Sequence, residues 1–304
     1  MLKRSFYSNG KLLLTGEYAV LDGATALAIP TSYGQSLVVV TNETDELIWK
    51  SLNHKNETWF EASISMDKQG LRLKQSTNDT IANTLIKILS EAIKLNPEFL
   101  ADTSGYAVTT QLDFPRDWGL GSSSTLINNI AQWAFVDAFD LLAKSFGGSG
   151  YDIAAAQSHK PIFYTKSNPP TVREVHLPWE FKDQLFFVHL NKKQDSKDGI
   201  KRYREVSVSD KTLQKISVVT AKLLLCYELE PFQKIMESHE RLISEIIKVP
   251  TIKAQLFVDY PNLIKSLGAW GGDFILAVGD ETDQEYFRKK GYRTIIPFNE
   301  MIKK

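Results

Sequence analysis

The chain has 304 residues, of which 43% are hydrophobic and 24% are charged, as in an ordinary soluble globular protein. Its 36 basic and 36 acidic side chains cancel, so no global field attracts nucleic acid or an anionic membrane, and neither is an expected partner. Cys226 is the only cysteine, which excludes an internal disulfide bond and a cysteine-rich zinc site. A chain of this length predicts two packed domains.

The N-terminal segment does not have the pattern of a signal peptide. An apolar stretch is interrupted repeatedly by polar side chains, namely Ser8, Asn9, Lys11, Thr15 and Glu17. No run elsewhere approaches the roughly 20 apolar residues that a membrane span needs. We therefore expect a cytoplasmic protein, as a monomer or a homodimer.

The first half of the chain predicts strands, one amphipathic helix and one buried helix. Apolar and β-branched patterns predict strands at 12–14, 19–21, 36–41, 46–49, 58–64 and 106–112. Helical spacing of apolar residues predicts a helix over 80–95. The nearly uncharged stretch 126–143 predicts one buried helix, and a shorter helix is expected at 153–157.

The second half begins with the proline-containing segment 161–178, which is the candidate crossover between domains. Strands are predicted at 185–190, 274–278 and 294–297, and helices at 212–229 and 232–247. Segment 191–204 is basic and predicts a charged loop, either solvated or acting as a mobile lid over a bound anion. Strands and helices mixed without strict alternation indicate the α+β class.

The segment Trp118-Gly-Leu-Gly-Ser-Ser-Ser-Thr125 carries the most specific chemistry. A glycine turn that leads into a helix leaves backbone N–H groups and the positive end of the helix dipole available to a phosphate. The alternative is that Ser122, Ser123 and Ser124 only cap the helix. No Gly-Lys-Ser/Thr sequence follows, so this is not a Walker A loop.

Four segments resemble, in the same order, the motifs of the GHMP kinases. They are Gly10-Lys-Leu-Leu-Leu-Thr-Gly-Glu-Tyr-Ala-Val-Leu-Asp-Gly23, the segment 115–125, Gly150-Tyr-Asp-Ile-Ala154 and Lys265-Ser-Leu-Gly-Ala-Trp-Gly-Gly-Asp273. The first is most similar to phosphomevalonate kinase, and the third resembles the same enzymes. Together they extend over nearly the whole chain, although little aligns between them.

The resemblance implies the two-domain GHMP kinase fold. Residues 1–165 would form an ATP-binding domain like domain 2 of ribosomal protein S5, and residues 166–304 a ferredoxin-like domain, with ATP and acceptor in the cleft between them. ATP and Mg²⁺ are the implied cofactors. The acceptor would be a small acidic molecule, phosphomevalonate or mevalonate in isoprenoid precursor synthesis, or else a sugar or homoserine-type alcohol.

The same resemblance implies roles for individual residues. The triphosphate would be held by Gly119, Leu120, Gly121, Ser122, Ser123 and Ser124, with Ser123 as a Mg²⁺ ligand. The acceptor would contact Glu17, Tyr18, Ser196, Lys197, Gly271, Gly272 and Asp273. The catalytic pair would be Lys11, which neutralises charge on the transferring group, and Asp152, which accepts or orients the acceptor proton. Taken alone, Asp152 could be a helix N-cap and Lys11 a strand-edge lysine.

Two features depart from the family pattern. The Mg²⁺-binding glutamate expected before the catalytic aspartate is missing, and only Asp137 and Asp140 are nearby. Trp270 stands where glycine or serine is common, so a bulky indole is expected to narrow the acceptor loop. These departures leave open a non-catalytic sensor that binds ATP or a metabolite, although such a protein would not need both Lys11 and Asp152.

Overall fold

The computed structural model describes residues 2–67, 70–101, 105–192, 196–270 and 272–303. Helices and strands are mixed, which confirms the predicted α+β class. The chain forms two compact units, the first built from residues 1–10, 33–116 and 121–157, and the second from 11–32, 117–120 and 158–304. The sequential division at 165/166 stays a prediction.

The first unit is organised around a sheet. Its strands are parts of β1 (Lys3–Thr15) and β2 (Ala26–Asn42), together with β3 (Glu46–Leu52), β4 (Thr58–Asp67), β5 (Gly70–Ser76) and β6 (Gly105–Leu112). The strand order is β5-β4-β3-β6-β2, and β3 and β6 run parallel while the other neighbours are antiparallel. The predicted strands at 36–41, 46–49, 58–64 and 106–112 are confirmed, whereas β5 was not predicted.

Helix α1 (Asp79–Leu95) confirms the predicted amphipathic helix. It buries Ala82, Leu85, Ile88, Leu89 and Ala92, which are spaced at helical intervals. Asn78 caps its N-terminus, since the side chain accepts a hydrogen bond from the Ile81 N–H. The buried face of α1 joins the core that strands β3 and β4 form with the neighbouring helices.

The predicted single helix over 126–143 is wrong, because the structure has two helices there. They are α2 (Ser122–Ala134) and α3 (Ala138–Ser145), and α4 (Tyr151–Gln157) follows. Phe135 adopts a left-handed conformation that ends α2, with φ 54°. Asp137 then caps α3, because its Oδ1 accepts from the N–H groups of Phe139 (2.7 Å) and Asp140 (3.0 Å).

The second unit contains β7 (Ile162–Thr165) and β8 (Thr171–Glu174), which form an antiparallel hairpin. β7 also pairs with the start of β2, with Ala26 opposite Tyr164. The segment 161–178 thus contains paired strands, and its role as the crossover between domains stays a prediction. The predicted strand at 19–21 is also wrong, because Ala19–Asp22 is a 3-10 helix between left-handed Tyr18 and Gly23.

A second, antiparallel sheet in this unit has the order β10-β11-β9-β12. Its strands are β9 (Leu185–His189), β10 (Ile264–Ser266), β11 (Phe274–Val278) and β12 (Ile295–Pro297). The helices of the unit are α5 (Ser196–Arg204), α6 (Asp210–Lys222), α7 (Leu229–Ile247), α8 (Ile252–Leu256), α9 (Glu281–Lys289) and α10 (Phe298–Met301). In the described part of the chain, no helix combines the length and the apolar character that crossing a membrane requires.

The predicted loop at 191–204 is corrected in part, because α5 occupies 196–204. Asp198 lies in the first turn and Lys201, Arg202 and Arg204 lie in the last turn. This distribution of charge complements the helix dipole, which favours anions at the N-terminus and cations at the C-terminus. Residues 193–195 lie outside the described residues.

Candidate active site

The glycine turn before α2 has a backbone conformation that favours glycine. Gly119 and Gly121 have φ of 66° and 87°, a region that side chains with a Cβ avoid. Gly121 is the N-cap residue of α2 and has no side chain with which to cap it. Ser122, Ser123 and Ser124 follow as the first helical residues, so the interpretation of these serines as the N-cap is wrong.

Buried hydrogen bonds hold α2 within the first unit. The Thr125 hydroxyl donates to Gln35 Oε1 (2.7 Å), and Asn129 Nδ2 donates to the Gln35 carbonyl oxygen (2.9 Å). Ser8 Oγ donates to Asn129 Oδ1 (2.7 Å) from strand β1. These polar groups are satisfied inside the core, so they fix the position of the helix start that carries the exposed Ser123.

Lys11 lies directly against the glycine turn. Its backbone N–H donates to the Leu120 carbonyl oxygen (3.0 Å), and its ammonium donates to the Gly119 carbonyl oxygen (3.1 Å). Leu120 is fully buried, which anchors the turn between the two glycines. The structure therefore brings together two segments that are far apart in the sequence, the lysine of the first motif and the turn of the second.

Asp152 belongs to the first unit, as the second residue of α4. The N–H groups of Ile153 and Ala154 both bond to the Gly150 carbonyl oxygen, so the helix already begins at Tyr151 and Asp152 is not its N-cap. Because Lys11 belongs to the second unit, the pairing of Lys11 with Asp152 stays a prediction.

Glu17 lies in a buried cluster of ionisable side chains that also contains Lys265, Glu240 and His239. All four are at most 4% exposed. The Lys265 ammonium is paired with Glu17 and lies 3.0 Å from Glu240 Oε1. Ser266 Oγ donates to the second Glu240 oxygen (2.7 Å). One cation thus serves two carboxylates, so one negative charge of the cluster is left uncompensated whenever both carboxylates are ionised.

Burial shifts the pKa values within this cluster. Desolvation raises the pKa of Glu17 to about 7, although the charge of Lys265 opposes this increase. Burial acts against the charged form of Lys265, but Glu17 and Glu240 outweigh it and raise the pKa of this lysine. Burial and the nearby Lys265 charge hold the pKa of His239 well below its ordinary value. His239 is consequently neutral, and its Nε2 accepts the Gly16 N–H (2.9 Å).

The cluster fixes a strained turn that presents Tyr18. Gly16 has φ 88°, and a Cβ there would lie 2.7 Å from the Ala26 Cβ. Tyr18 also has a positive φ, 62°, which is uncommon for a bulky side chain. Its ring stacks on Tyr203 at a centroid distance of 6.0 Å. In the described residues its buried hydroxyl has no hydrogen-bond partner, so Tyr18 carries an unsatisfied buried polar atom.

The last motif places Asp273 beside the glycine turn. A Cβ added to Gly119 would collide with the Asp273 carboxyl group. Asp273 is held by its backbone, whose N–H donates to the Lys192 carbonyl oxygen (2.7 Å). Trp118 packs edge-on against Phe274 at 5.3 Å. Gly272 is buried, and Gly271 lies outside the described residues.

Trp270 has a left-handed backbone, with φ 48°, and is only 4% exposed. It belongs to an apolar cluster with Tyr18, Tyr203 and Ile216. Its ring lies 5.9 Å from the Lys265 ammonium, and among the described residues its buried Nε1–H has no partner. The indole is therefore packed in the same cluster as Tyr18, and its effect on the acceptor loop stays a prediction.

Sequence reasoning missed the roles of Lys265, Glu240 and His239. His239 and Glu240 lie on the stripe of α7 that also buries Phe232, Met236 and Ile243. An ionisable residue on an apolar stripe requires a buried partner, and that signal was available. The side chains of Ser196 and Lys197 lie outside the described part, and only their helical backbone at the start of α5 is seen.

The described residues contain no group of three or more His, Cys, Asp or Glu side chains that could hold a metal ion. Asp137 is engaged as the cap of α3. The exposed hydroxyl of Ser123 remains as a hard oxygen donor of the kind that Mg²⁺ accepts, and phosphate oxygens would have to supply most of its ligands. The residues present thus fit a metal that arrives with a nucleotide.

No protein-family model and no curated protein matches the sequence. Solved structures do match. Mevalonate kinase of Methanococcus jannaschii superposes with a TM-score of 0.71 at 15% identity, with 97% of each chain covered. The Streptococcus pneumoniae phosphomevalonate kinase in complex with phosphomevalonate and AMPPNP gives 0.69 at 16% identity, covering 96% of this chain and 99% of that one. Lactococcus lactis galactokinase in complex with galactose gives a TM-score of 0.69 at 14% identity, with 99% of this chain and 93% of that chain covered. The chain therefore has the fold of the GHMP kinases.

Proposed function

We propose that this protein is an ATP-dependent kinase that transfers the γ-phosphoryl group to a small acidic acceptor. The observation that carries the proposal is the contact of the Lys11 ammonium with the Gly119 carbonyl oxygen, in a glycine turn that opens α2. A cation and free helical N–H groups at one turn are what a nucleotide triphosphate needs. A cytoplasmic location and a monomeric or homodimeric state remain predictions.

The proposed reaction forms one bond and breaks one. The acceptor oxygen bonds to the γ-phosphorus while the bond from that phosphorus to the bridging oxygen breaks and ADP leaves. Lys11 neutralises charge on the phosphoryl oxygens, and the Asp152 carboxylate takes the proton of an alcohol acceptor or orients it. Bound Mg²⁺, with Ser123 as a protein ligand, would supply further charge neutralisation.

Phosphomevalonate and mevalonate, used in isoprenoid precursor synthesis, are the first acceptor candidates. The likeness of the first motif to phosphomevalonate kinase supports them, and so does the overall similarity to a structure that holds phosphomevalonate. The buried, unpartnered Tyr18 hydroxyl and Trp270 N–H of the described residues are donors suited to an acidic acceptor. A sugar or homoserine-type alcohol is the second candidate, because galactokinase superposes equally well.

The test measures ADP release with mevalonate, phosphomevalonate, homoserine and galactose. Each acceptor is assayed with the wild type and with Asp152→Asn. With an alcohol acceptor, Asp152→Asn should lower turnover by ~10² to 10⁴ at unchanged ATP affinity. With a phosphate acceptor, Lys11→Ala should be the more damaging change, because charge neutralisation then dominates. Asp140→Asn, an exposed acid on α3, is the matched control and should have no effect.

The same experiment can also distinguish a kinase from a non-catalytic sensor that binds ATP. Tight ATP binding by the wild type, no ADP release with any acceptor, and unchanged ATP binding in both variants would favour it over the kinase.

A further inference from the structure

The second unit contains a buried histidine at the end of its antiparallel sheet. His189 is the last residue of β9 and is only 4% exposed. Its register partner on β11 is Phe274, and the centroids of the two rings lie 5.0 Å apart. The His189 backbone N–H donates to the Thr294 carbonyl oxygen (3.0 Å) on the other side of β9. The imidazole is therefore attached to a strand that is fixed on both sides.

The imidazole contacts the backbone at the start of the glycine turn. His189 Nε2 lies 3.2 Å from the Asp117 carbonyl oxygen. Because a carbonyl oxygen can only accept a hydrogen bond, Nε2 must carry a proton and donate. The Trp118 ring lies 6.4 Å from the imidazole and packs edge-on against Phe274, both measured between ring centroids. One hydrogen bond and two ring contacts thus hold the start of the turn.

Three backbone carbonyl groups of residues 117–120 accept hydrogen bonds from the second unit. His189 binds that of Asp117, and Lys11 binds those of Gly119 and Leu120. In a planar trans peptide, the C=O of one residue and the N–H of the next point in opposite directions. Donors that bind these carbonyl groups therefore determine which way the N–H groups of the turn face. Lys11 does this at the end of the turn, and His189 does it at the start.

We propose that His189 is a positioning residue of the nucleotide site, which fixes the start of the glycine turn so that the turn is ordered before ATP binds. This role rests on the proposed function, because the turn is the proposed phosphate site. The histidine does not touch ATP and acts through the Asp117 carbonyl group. Without that hydrogen bond the start of the turn has more conformations available, and ordering them on binding lowers the affinity for ATP.

Two variants of the full-length protein separate the hydrogen bond from the packing. His189→Phe keeps an aromatic ring against Phe274 and Trp118 but has no donor. His189→Gln loses the ring but keeps an N–H donor at a similar distance from the backbone. By calorimetry, His189→Phe should bind ATP about fivefold more weakly than the wild type, which corresponds to one hydrogen bond. His189→Gln should bind ATP within about twofold of the wild type.

Steady-state ADP release provides a second measurement. His189→Phe should raise the KM for ATP about fivefold and leave turnover at saturating ATP within about twofold of the wild type. His159→Phe, which changes an exposed histidine of the same unit, is the control and should leave the ATP affinity unchanged.

Three results would overturn the role of His189. They are an unchanged ATP affinity in His189→Phe, weaker ATP binding by His189→Gln than by His189→Phe, and a loss in His189→Phe that falls on turnover rather than on KM. The first of these needs only His189→Phe, so the test does not depend on the folding of the glutamine variant. A wild type that binds ATP but releases no ADP with any acceptor would refute the kinase and leave the binding result standing, whereas a wild type that does not bind ATP would overturn both.

Discussion

Lys265→Met is the most informative perturbation of the buried cluster. The lysine is completely buried between Glu17 and Glu240, and its ammonium is the cation that both carboxylates share. Methionine preserves most of the side-chain volume but removes the charge. Removing one partner of a buried ion pair leaves an uncompensated charge and costs about 3–5 kcal/mol of unfolding free energy.

The pH dependence distinguishes this electrostatic loss from a loss of packing. In the wild type, burial raises the pKa of Glu17 from 4.5 to about 7. The folded state then holds a proton that the unfolded state releases, so stability falls by about 3 kcal/mol as the pH rises from 4.5 through 7. Without Lys265 the pKa of Glu17 rises further. The extra destabilisation should therefore be at least about 1 kcal/mol larger at about pH 8 than at about pH 5.5.

The assay is urea unfolding of the wild type, Lys265→Met, Glu17→Gln and the double variant at both pH values. The double variant should be more stable than Lys265→Met alone, because it restores the net charge of the cluster. Lys234→Met, which removes an exposed lysine paired with Glu230, is the control and should be nearly neutral. Equal losses at both pH values, or strictly additive effects in the double variant, would refute the electrostatic account.

Two further predictions concern the glycine turn and Trp270. Gly119→Ala should lower ATP affinity at least about tenfold by calorimetry, because its Cβ would displace the Asp273 carboxyl group. Gly147→Ala, at a similar φ of 72° but with open space around it, isolates the backbone strain and should leave ATP affinity unchanged. Trp270→Gly should increase ADP release with bulkier acceptors relative to the best small one, because it removes the indole from the cluster that contains Tyr18, whereas Trp270→Phe should not. An unchanged acceptor profile in Trp270→Gly would show that the indole does not limit acceptor size.

The sequence predicted those helices, strands and turns that the residues of a single segment are enough to indicate. Helix α1 follows from apolar spacing, and the strands at 46–49 and 58–64 follow from β-branched and aromatic runs. The glycine turn before α2 was also recognisable, because glycine marks positive φ directly. The α+β class followed from the mixture of these elements, and the motif order predicted the fold that the solved structures confirm.

Three predictions made from single segments were wrong or only partly right. The run at 19–21 is apolar enough for a strand, yet the left-handed residues on either side close it into a 3-10 helix. The uncharged stretch 126–143 hid the break at Phe135, because a non-glycine residue in left-handed conformation leaves no compositional mark. The basic composition of 196–204 predicted a loop, although its charges are ordered along a helix dipole.

The candidate site depended on tertiary structure for its partners. The resemblance of the motifs singled out Lys11 and Glu17 as candidate site residues, and the residues of the glycine turn indicated a candidate phosphate site. Folding decided that the Lys11 ammonium bonds to the Gly119 carbonyl, and that Glu17 pairs with Lys265, 248 residues away along the chain. Local patterns report what one segment prefers, whereas the pKa of Glu17 is determined by desolvation and by charges that only the folded chain brings together.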